Sequence, residues 1–339
     1  MTLKFNNIYI NESAVVAGPY LYNGPLSGKF DDCYSDFYDK EKTFEDCEIK
    51  ELEKCIKILL KKISLYNKDI DAMFSSDLTN QLYISNFAAE KLKIPYIGIY
   101  NACASFTAEL ILASSLLNNK DINNVICTTS GHNLTSERQF RSPVEYGSPK
   151  PDYSTFTVSA ATACLLTKTK SSIKIESGTI GKVYDLGVKD SFDMGSAMAP
   201  AAAETFYEHL INNDIDENYY DLIITGDLGV YGEEIFKKYC NEIFNIDLKN
   251  YYDSATKVYD MNNKKVLAGG SGPSCLPSYV FSYIIPKMKN KEIKRVLLLA
   301  TGALLSTTSV NHKKSIPCIC HAICLEAIWY IFILSYLQV

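Results

Sequence analysis

The sequence predicts an α/β protein made of two copies of one layered unit, and three observations predict it. Short apolar runs that read as buried strands alternate with helical patterns, which implies covered, mostly parallel sheets. Three of those strand-like runs recur, in the same order, in each half. The chain of 339 residues is too long for one minimal core and suits one large domain or two fused ones. Two such units in tandem give an α/β/α/β/α body with two mixed, mostly parallel sheets.

In the first half, Ile49, Leu52, Ile56, Leu59 and Ile63 hold one face of a helix. Asp71 to Leu78 follows: acid, three apolar residues, hydroxyl, small, acid, leucine. Tyr96 to Tyr100 reads as a buried strand, and Ala108, Ile111, Leu112 and Leu116 behind it recur at helical spacing. Val125 to Gly131 and Ala163 to Leu166 complete the unit. The second half begins in the glycine-bearing segment Ser171 to Lys189, and Ala199 to Leu210 is its first helix. Asp221 to Leu228 then repeats the acid-to-leucine pattern, and Val296 to Gly302 and Ala322 to Leu325 echo the remaining two strands. The expected divisions are residues 1–170, 171–326 and an apolar tail, 327–339.

Cys103 stands where the Tyr96 strand turns into the next helix. The unpaired amides and dipole of a helix N-terminus favour a thiolate there, as a nucleophile or as part of an anion pocket. A small buried cysteine filling a strand end is the other reading, and this segment alone does not separate them.

A net charge of −5 and the lack of any basic, aromatic-studded strip argue against nucleic acid. The 11 cysteines follow nothing that resembles a signal peptide, so a reducing compartment with free thiols is expected. Cys318, Cys320, His321 and Cys324 lack the spacing of a zinc site and read as residues alternating on a terminal strand. No metal or cofactor is expected.

Asp77-Leu78-Thr79-Asn80-Gln81, Ser85-Asn86-Phe87-Ala88-Ala89 and the Tyr100 to Ser105 turn carry a resemblance. It continues through Ser136-Glu137-Arg138-Gln139-Phe140-Arg141, Glu145-Tyr146-Gly147 and Thr225-Gly226-Asp227-Leu228-Gly229. Ala268 to Gly272, Ala300 to Ser309 and Ser315-Ile316-Pro317 complete it. With these motifs the chain resembles the thiolase-like superfamily and, within it, the stage V sporulation protein AD family. The resemblance implies a duplicated thiolase-like fold with its cysteine at the first-half turn. It also implies a role in moving dipicolinic acid, with or without calcium, into the developing spore. Co-encoded sporulation membrane proteins are the implied partners, with a homodimer paired through central strands. The implied location is the cytoplasm or the periphery of the spore's inner membrane.

Claisen-type condensation needs a base or proton donor and an oxyanion hole besides a thiolate. Where related condensing enzymes carry histidine, this sequence has Thr225-Gly226-Asp227. The loop Gly269 to Cys275 also lacks the histidine found in thiolases. Of the 4 histidines, His209 reads as solvated and His312 as surface, while His132 and His321 face the pocket. The expected function is therefore ligand binding on a thiolase scaffold. The alternative is an acyltransferase or condensing enzyme with Cys103 as nucleophile.

A small dianion wants guanidinium forks and clustered backbone amides. The expected ligand-binding set is Cys103, His132, Arg138, Arg141, Asp227, Ser271, Gly272 and Cys275, with Phe140 as an aromatic surface for a pyridine ring. Against this, the arginines pair with Glu137 and Glu145, and Asp227, like its twin Asp77, caps a turn. The tail from Ala327 is apolar but shorter than the roughly 20 residues of a membrane-crossing helix. It reads as a membrane-touching anchor or as a frame-shifted gene end.

Overall fold

A computed structural model describes residues 1–140 and 149–329. Its strands show the duplication directly. In the first half, Tyr96–Gly98, Ala72–Ser76, Asn124–Gly131, Ala160–Thr167 and Tyr9–Ala17 lie side by side. In the second, Tyr251–Asp253, Leu222–Gly226, Arg295–Ala303, Cys318–Ala327 and Ile173–Ile180 lie in the same relation. Within each set the Ala160–Thr167 or Cys318–Ala327 strand is antiparallel to both neighbours, and the other strands run one way. The three sequence echoes thus occupy topologically equivalent strands. The two sets join where Tyr9 and Ile10 pair with Lys174 and Ile173, so the described residues form a continuous 12-stranded sheet.

The helices follow from local chemistry. Helix Phe44–Ile63 starts at Thr43, whose hydroxyl accepts from the Asp46 amide at 3.0 Å, and ends at Ser64 in the left-handed region. Glu45 and Asp46 lie in its first turn and Lys61 and Lys62 in its last, matching the dipole. Ile49, Leu52, Ile56 and Leu59 turn onto the first-half sheet, where they meet Ala14, Val16, Met73 and Ile126 in a closed core. Helix Met194–Asn213 does the same for the second half with small residues, Ala199, Ala201, Ala202 and Ala203, against Leu297 and Leu299. Between the two strand sets, Phe106 and Leu110 of helix Ser105–Leu116 share a core with Val125, Phe281 and Leu298.

Three expectations change. Strand Tyr96–Gly98 is an edge, not a buried strand: Ile97 is 49% and Tyr100 45% exposed. An apolar run does not reveal whether a neighbour covers it. His209 is fully buried, accepting or donating at Thr179 Oγ1 and Tyr220 Oη, both at 2.7 Å, because its helix packs that face against the sheet. Finally, Ala327 and Trp329 belong to the fold. Ala327 ends the last strand, and the Trp329 indole donates to the Met288 carbonyl at 3.2 Å. Residues 330–339 of the tail lie outside the described residues.

Strand Cys318–Ala327 alternates as expected. Cys318, Cys320 and Cys324 enter one core while Ile323 and Leu325 enter the other. Among the described residues no helix is long and apolar enough to cross a membrane.

Candidate functional site

The first-half strand Tyr96–Gly98 runs into a tight turn at Asn101 to Ala104. Ala102 holds φ 48°, the left-handed region that an alanine adopts at a cost of about 1–3 kcal/mol. The Ser105 hydroxyl fixes the turn, donating to Ala102 O at 2.8 Å and accepting from the Asn101 amide at 3.0 Å. Gly302 of the second half lets the turn sit this close, since a Cβ there would lie 2.4 Å from Asn101 O. The half-buried Cys103 thereby faces a cavity of about 100 Å³.

The other walls come from three places. Helix Asn133–Phe140 contributes Ser136, Glu137 and Phe140. The segment after the undescribed residues 141–148 contributes Lys150, Ser154, Thr155 and Thr157. The second half closes the cavity with Phe192, Met194, Leu305 and the loop residues Ser271 and Gly272. A short parallel ladder, Phe156–Thr157 with Gly270–Ser271, brings the last two together; Val158 N donates to Ser271 O at 2.8 Å. Gly272 takes φ 101°, accessible to glycine alone without strain. The Ser154 and Thr155 hydroxyls are buried without a hydrogen-bond partner among the described residues. Buried hydroxyls are rarely left so unless something else satisfies them.

Of the expected set, Cys103, Ser271 and Gly272 line this cavity, and so does Phe140. Asp227 and Cys275 are fully buried outside its lining. Burial, and then Asp253 beside it, push the Asp227 carboxyl well above the usual carboxylate range; Cys275 and the Gly272 amide only partly offset this. His132 does not reach the cavity. It is stacked on Phe44 and edge-on to Phe37, with Nε2 donating to Phe37 O at 2.9 Å. His321 does not line it either. Its Nδ1 accepts from the Gly181 amide at 3.2 Å and Nε2 meets the Asn101 side chain at 3.3 Å, tying the cysteine turn to the second half. Arg138 is exposed and pairs with Glu45; Glu145, the other partner expected for the arginines, lies outside the described residues. Arg141 lies outside the described residues.

The thiolate expected at Cys103 is opposed by its surroundings. Burial, then Asp227, raise the thiol well above its ordinary value, and the amides of Gly272 and Cys103 offset only part of this. A helix N-terminus helps a thiolate, but desolvation is the larger effect here. Burial likewise lowers His132 and His321 to about 4, so both are neutral at pH 7. Among the described residues no imidazole stands in the cavity to deprotonate Cys103, and no group of three or more His, Cys, Asp or Glu is arranged to hold a metal.

Lys150, Ser154, Thr155 and Phe192 were not legible as site residues. Lys150, Ser154 and Thr155 lie in the segment ahead of strand Phe156–Thr157, whose parallel ladder to Gly270–Ser271 brings them to the cysteine, and Phe192 lies just ahead of helix Met194–Asn213. The one available signal was the polar run Tyr153-Ser154-Thr155 just ahead of a buried strand.

The sequence model of Stage V sporulation protein AD matches residues 1–326. Stage V sporulation protein AD of Bacillus subtilis (strain 168) is 38% identical over 319 residues, 94% of each chain. Among solved structures, 3-oxoacyl-[acyl-carrier-protein] synthase III from Aquifex aeolicus VF5 aligns with TM-score 0.58 at 15% identity, covering 94% of this chain and 99% of that one. A variant of OleA from Xanthomonas campestris aligns with TM-score 0.63 at 14% identity, covering 96% and 98%. At such identities the two structures establish the thiolase-like fold and nothing more.

Proposed function

Because the chain belongs to the stage V sporulation protein AD family, we propose that it binds dipicolinic acid, with or without calcium, in the Cys103 cavity. In this reading it assists that molecule's uptake into the developing spore. The observation that carries it is the composition of the cavity wall. A flat aromatic dicarboxylate needs apolar surface for its ring and a few placed donors for its carboxylates. Phe140, Phe192 and Tyr100 supply the first; Lys150 and the unpartnered hydroxyls of Ser154 and Thr155 supply the second.

Calorimetry with dipicolinate, and benzoate as control, tests the reading. Saturable heat selective for the dicarboxylate is expected, and its absence at millimolar ligand would sink the idea. The alternative, acyl transfer through Cys103, is favoured by the position of a cysteine at the turn and disfavoured by its raised thiol and by the lack of a described imidazole beside it. Incubation with acyl thioesters and intact mass measurement separates the two. An acyl adduct that disappears in Cys103→Ala would establish the alternative.

The same proposal includes a homodimer through the open edge of strand Tyr96–Gly98 and co-encoded membrane proteins as partners, with the protein peripheral on the spore's inner membrane. Co-sedimentation with membranes that contain or lack those partners tests the last point, and equal recovery from both would refute it.

A further inference from the structure

Among the described residues, several side chains bury a polar atom that makes no hydrogen bond. Of these, Ser154 and Thr155 are the two that line the Cys103 cavity. They are 2% and 7% exposed. The backbone around them is held on both sides. The Ser154 amide donates to Pro151 O and its carbonyl accepts from the Ala268 amide, both at 3.0 Å. The Phe156 amide donates to Gly269 O at 2.8 Å. The main chain of this wall therefore finds its partners across the ladder, and the two neighbouring hydroxyls find none.

A hydroxyl taken out of water with nothing to bond costs stability, and two side by side in a cavity wall double that cost. A ligand group that bonds them removes it. Each hydroxyl offers one donor and two acceptor positions and turns about χ1 between staggered wells, so it adapts to a donor or an acceptor. Neither carries a charge. A carboxylate forms the stronger hydrogen bond with such a group but gives up more hydration to reach it, and a neutral carboxamide does the reverse. The two effects oppose each other, so these hydroxyls distinguish poorly between the two ligand groups. They distinguish well between either group and a bare ring edge, which leaves them unbonded.

We infer that Ser154 and Thr155 read the second arm of the ligand by hydrogen bonding rather than by charge. The site then takes an aromatic carboxylate whose other arm is a neutral carboxamide as readily as it takes a dicarboxylate. This rests on the proposed function above and adds the residues that recognise the second arm.

Calorimetry on the full chain tests the inference with dipicolinate, its monoamide, and picolinate, which lacks the second arm. The wild type should bind the monoamide within about threefold of dipicolinate, and picolinate about tenfold more weakly than either. In the Ser154→Ala/Thr155→Val double variant, dipicolinate and the monoamide should each lose about tenfold while picolinate is unchanged. A monoamide that binds about tenfold or more below dipicolinate would show that charge is read. A picolinate loss equal to the other two would place the hydroxyls away from the second arm. Either result overturns the inference and leaves the binding proposal standing.

Thermal melts without ligand give an independent reading. Each substitution removes a desolvation cost that nothing offsets, so Ser154→Ala and Thr155→Val should each raise the melting temperature by about 1–2 °C. Lowered melting temperatures would show that the hydroxyls have partners within the protein, and would overturn the inference whatever the calorimetry finds. A folded wild type that binds none of the three ligands would overturn the binding proposal, and the inference with it.

Discussion

Asp227 stands at the strand end that matches Asp77, yet only Asp77 is bonded. The Asp77 carboxylate accepts from the amides of Thr79 at 2.8 Å and Ser85 at 2.9 Å, closing the turn into the next helix. In the second half that work has moved one strand over, to Asp253. It accepts from the Gly229 and Ala255 amides at 3.1 and 2.9 Å and from the Thr225 hydroxyl at 2.7 Å. The Asp227 oxygens are buried and make no hydrogen bond of ordinary geometry among the described residues, with Cys275 and the Gly272 amide nearby offsetting only part of the cost. The second-half acid at this place thus does not cap the turn, and it lies close enough to Cys103 and Cys275 to oppose a thiolate at either.

The two second-half acids should respond oppositely to substitution. Asp253→Ala orphans several buried donors, each worth about 1–3 kcal/mol, and should cost at least about 3 kcal/mol in urea denaturation. Asp227→Asn should stabilise the protein at pH 7. The sign follows from linkage: a carboxyl whose folded value is raised above 3.8 loses stability as pH climbs through and beyond that unfolded value. The advantage of Asp227→Asn should therefore shrink towards pH 4. A variant less stable than the wild type at pH 7 would show that Asp227 has a partner.

His209 should make an acid-sensitive contribution. Burial lowers it to about 4 from 6.5, so the unfolded chain binds its proton first. Its contribution is complete above pH 6.5 and is lost as pH falls from there towards 4, at up to about 1.4 kcal/mol per pH unit. In His209→Gln the stability difference from wild type should narrow over that window. A difference that stays constant between pH 7 and 4.5 would contradict a neutral buried imidazole.

Cys103 is expected to matter through size and polarity rather than through a thiolate. Cys103→Ser keeps a small donor at the turn and should preserve dipicolinate binding within about 1 kcal/mol. Cys103→Leu should fill the cavity and abolish binding. In a chain with the exposed Cys33 replaced by serine, iodoacetamide at pH 7 should modify Cys103 more slowly than a free small-molecule thiol. Fast modification, or a serine variant as inactive as the leucine variant, would restore the thiolate reading.

The open edge should be the dimer contact. Ile97 is 49%, Phe87 46% and Tyr83 42% exposed, beside or on a strand that has one side unpaired among the described residues. Unpaired edges with apolar side chains pair readily with a second copy. Analytical ultracentrifugation should find a dimer for the wild type and a monomer for Ile97→Lys. An unchanged sedimentation coefficient would place the contact elsewhere.

The repeats were legible because strand periodicity and the acid-to-leucine pattern are local. Asp71 to Leu78 and Asp221 to Leu228 could be matched by eye, and they occupy equivalent strands. The histidines were not legible. His209 sits among Glu204, Glu208 and Asn212 in the sequence, which suggests a wet helix face. One turn geometry, however, puts its ring between Thr179 and Tyr220, two residues that no local pattern connects to it.

What the sequence determined by itself is the duplicated fold, the cysteine at the first-half turn, the family, and the lack of histidine at the second-half strand end. Each depends on residue type and order along the chain. Only the tertiary structure decided which side chains share the cavity. Lys150, Ser154 and Thr155 reach Cys103 because Phe156–Thr157 pairs in parallel with Gly270–Ser271, more than a hundred residues away. It also decided the chemistry of Cys103. A helix N-terminus is visible in a sequence, but the burial that outweighs it comes from the second half folding over the turn.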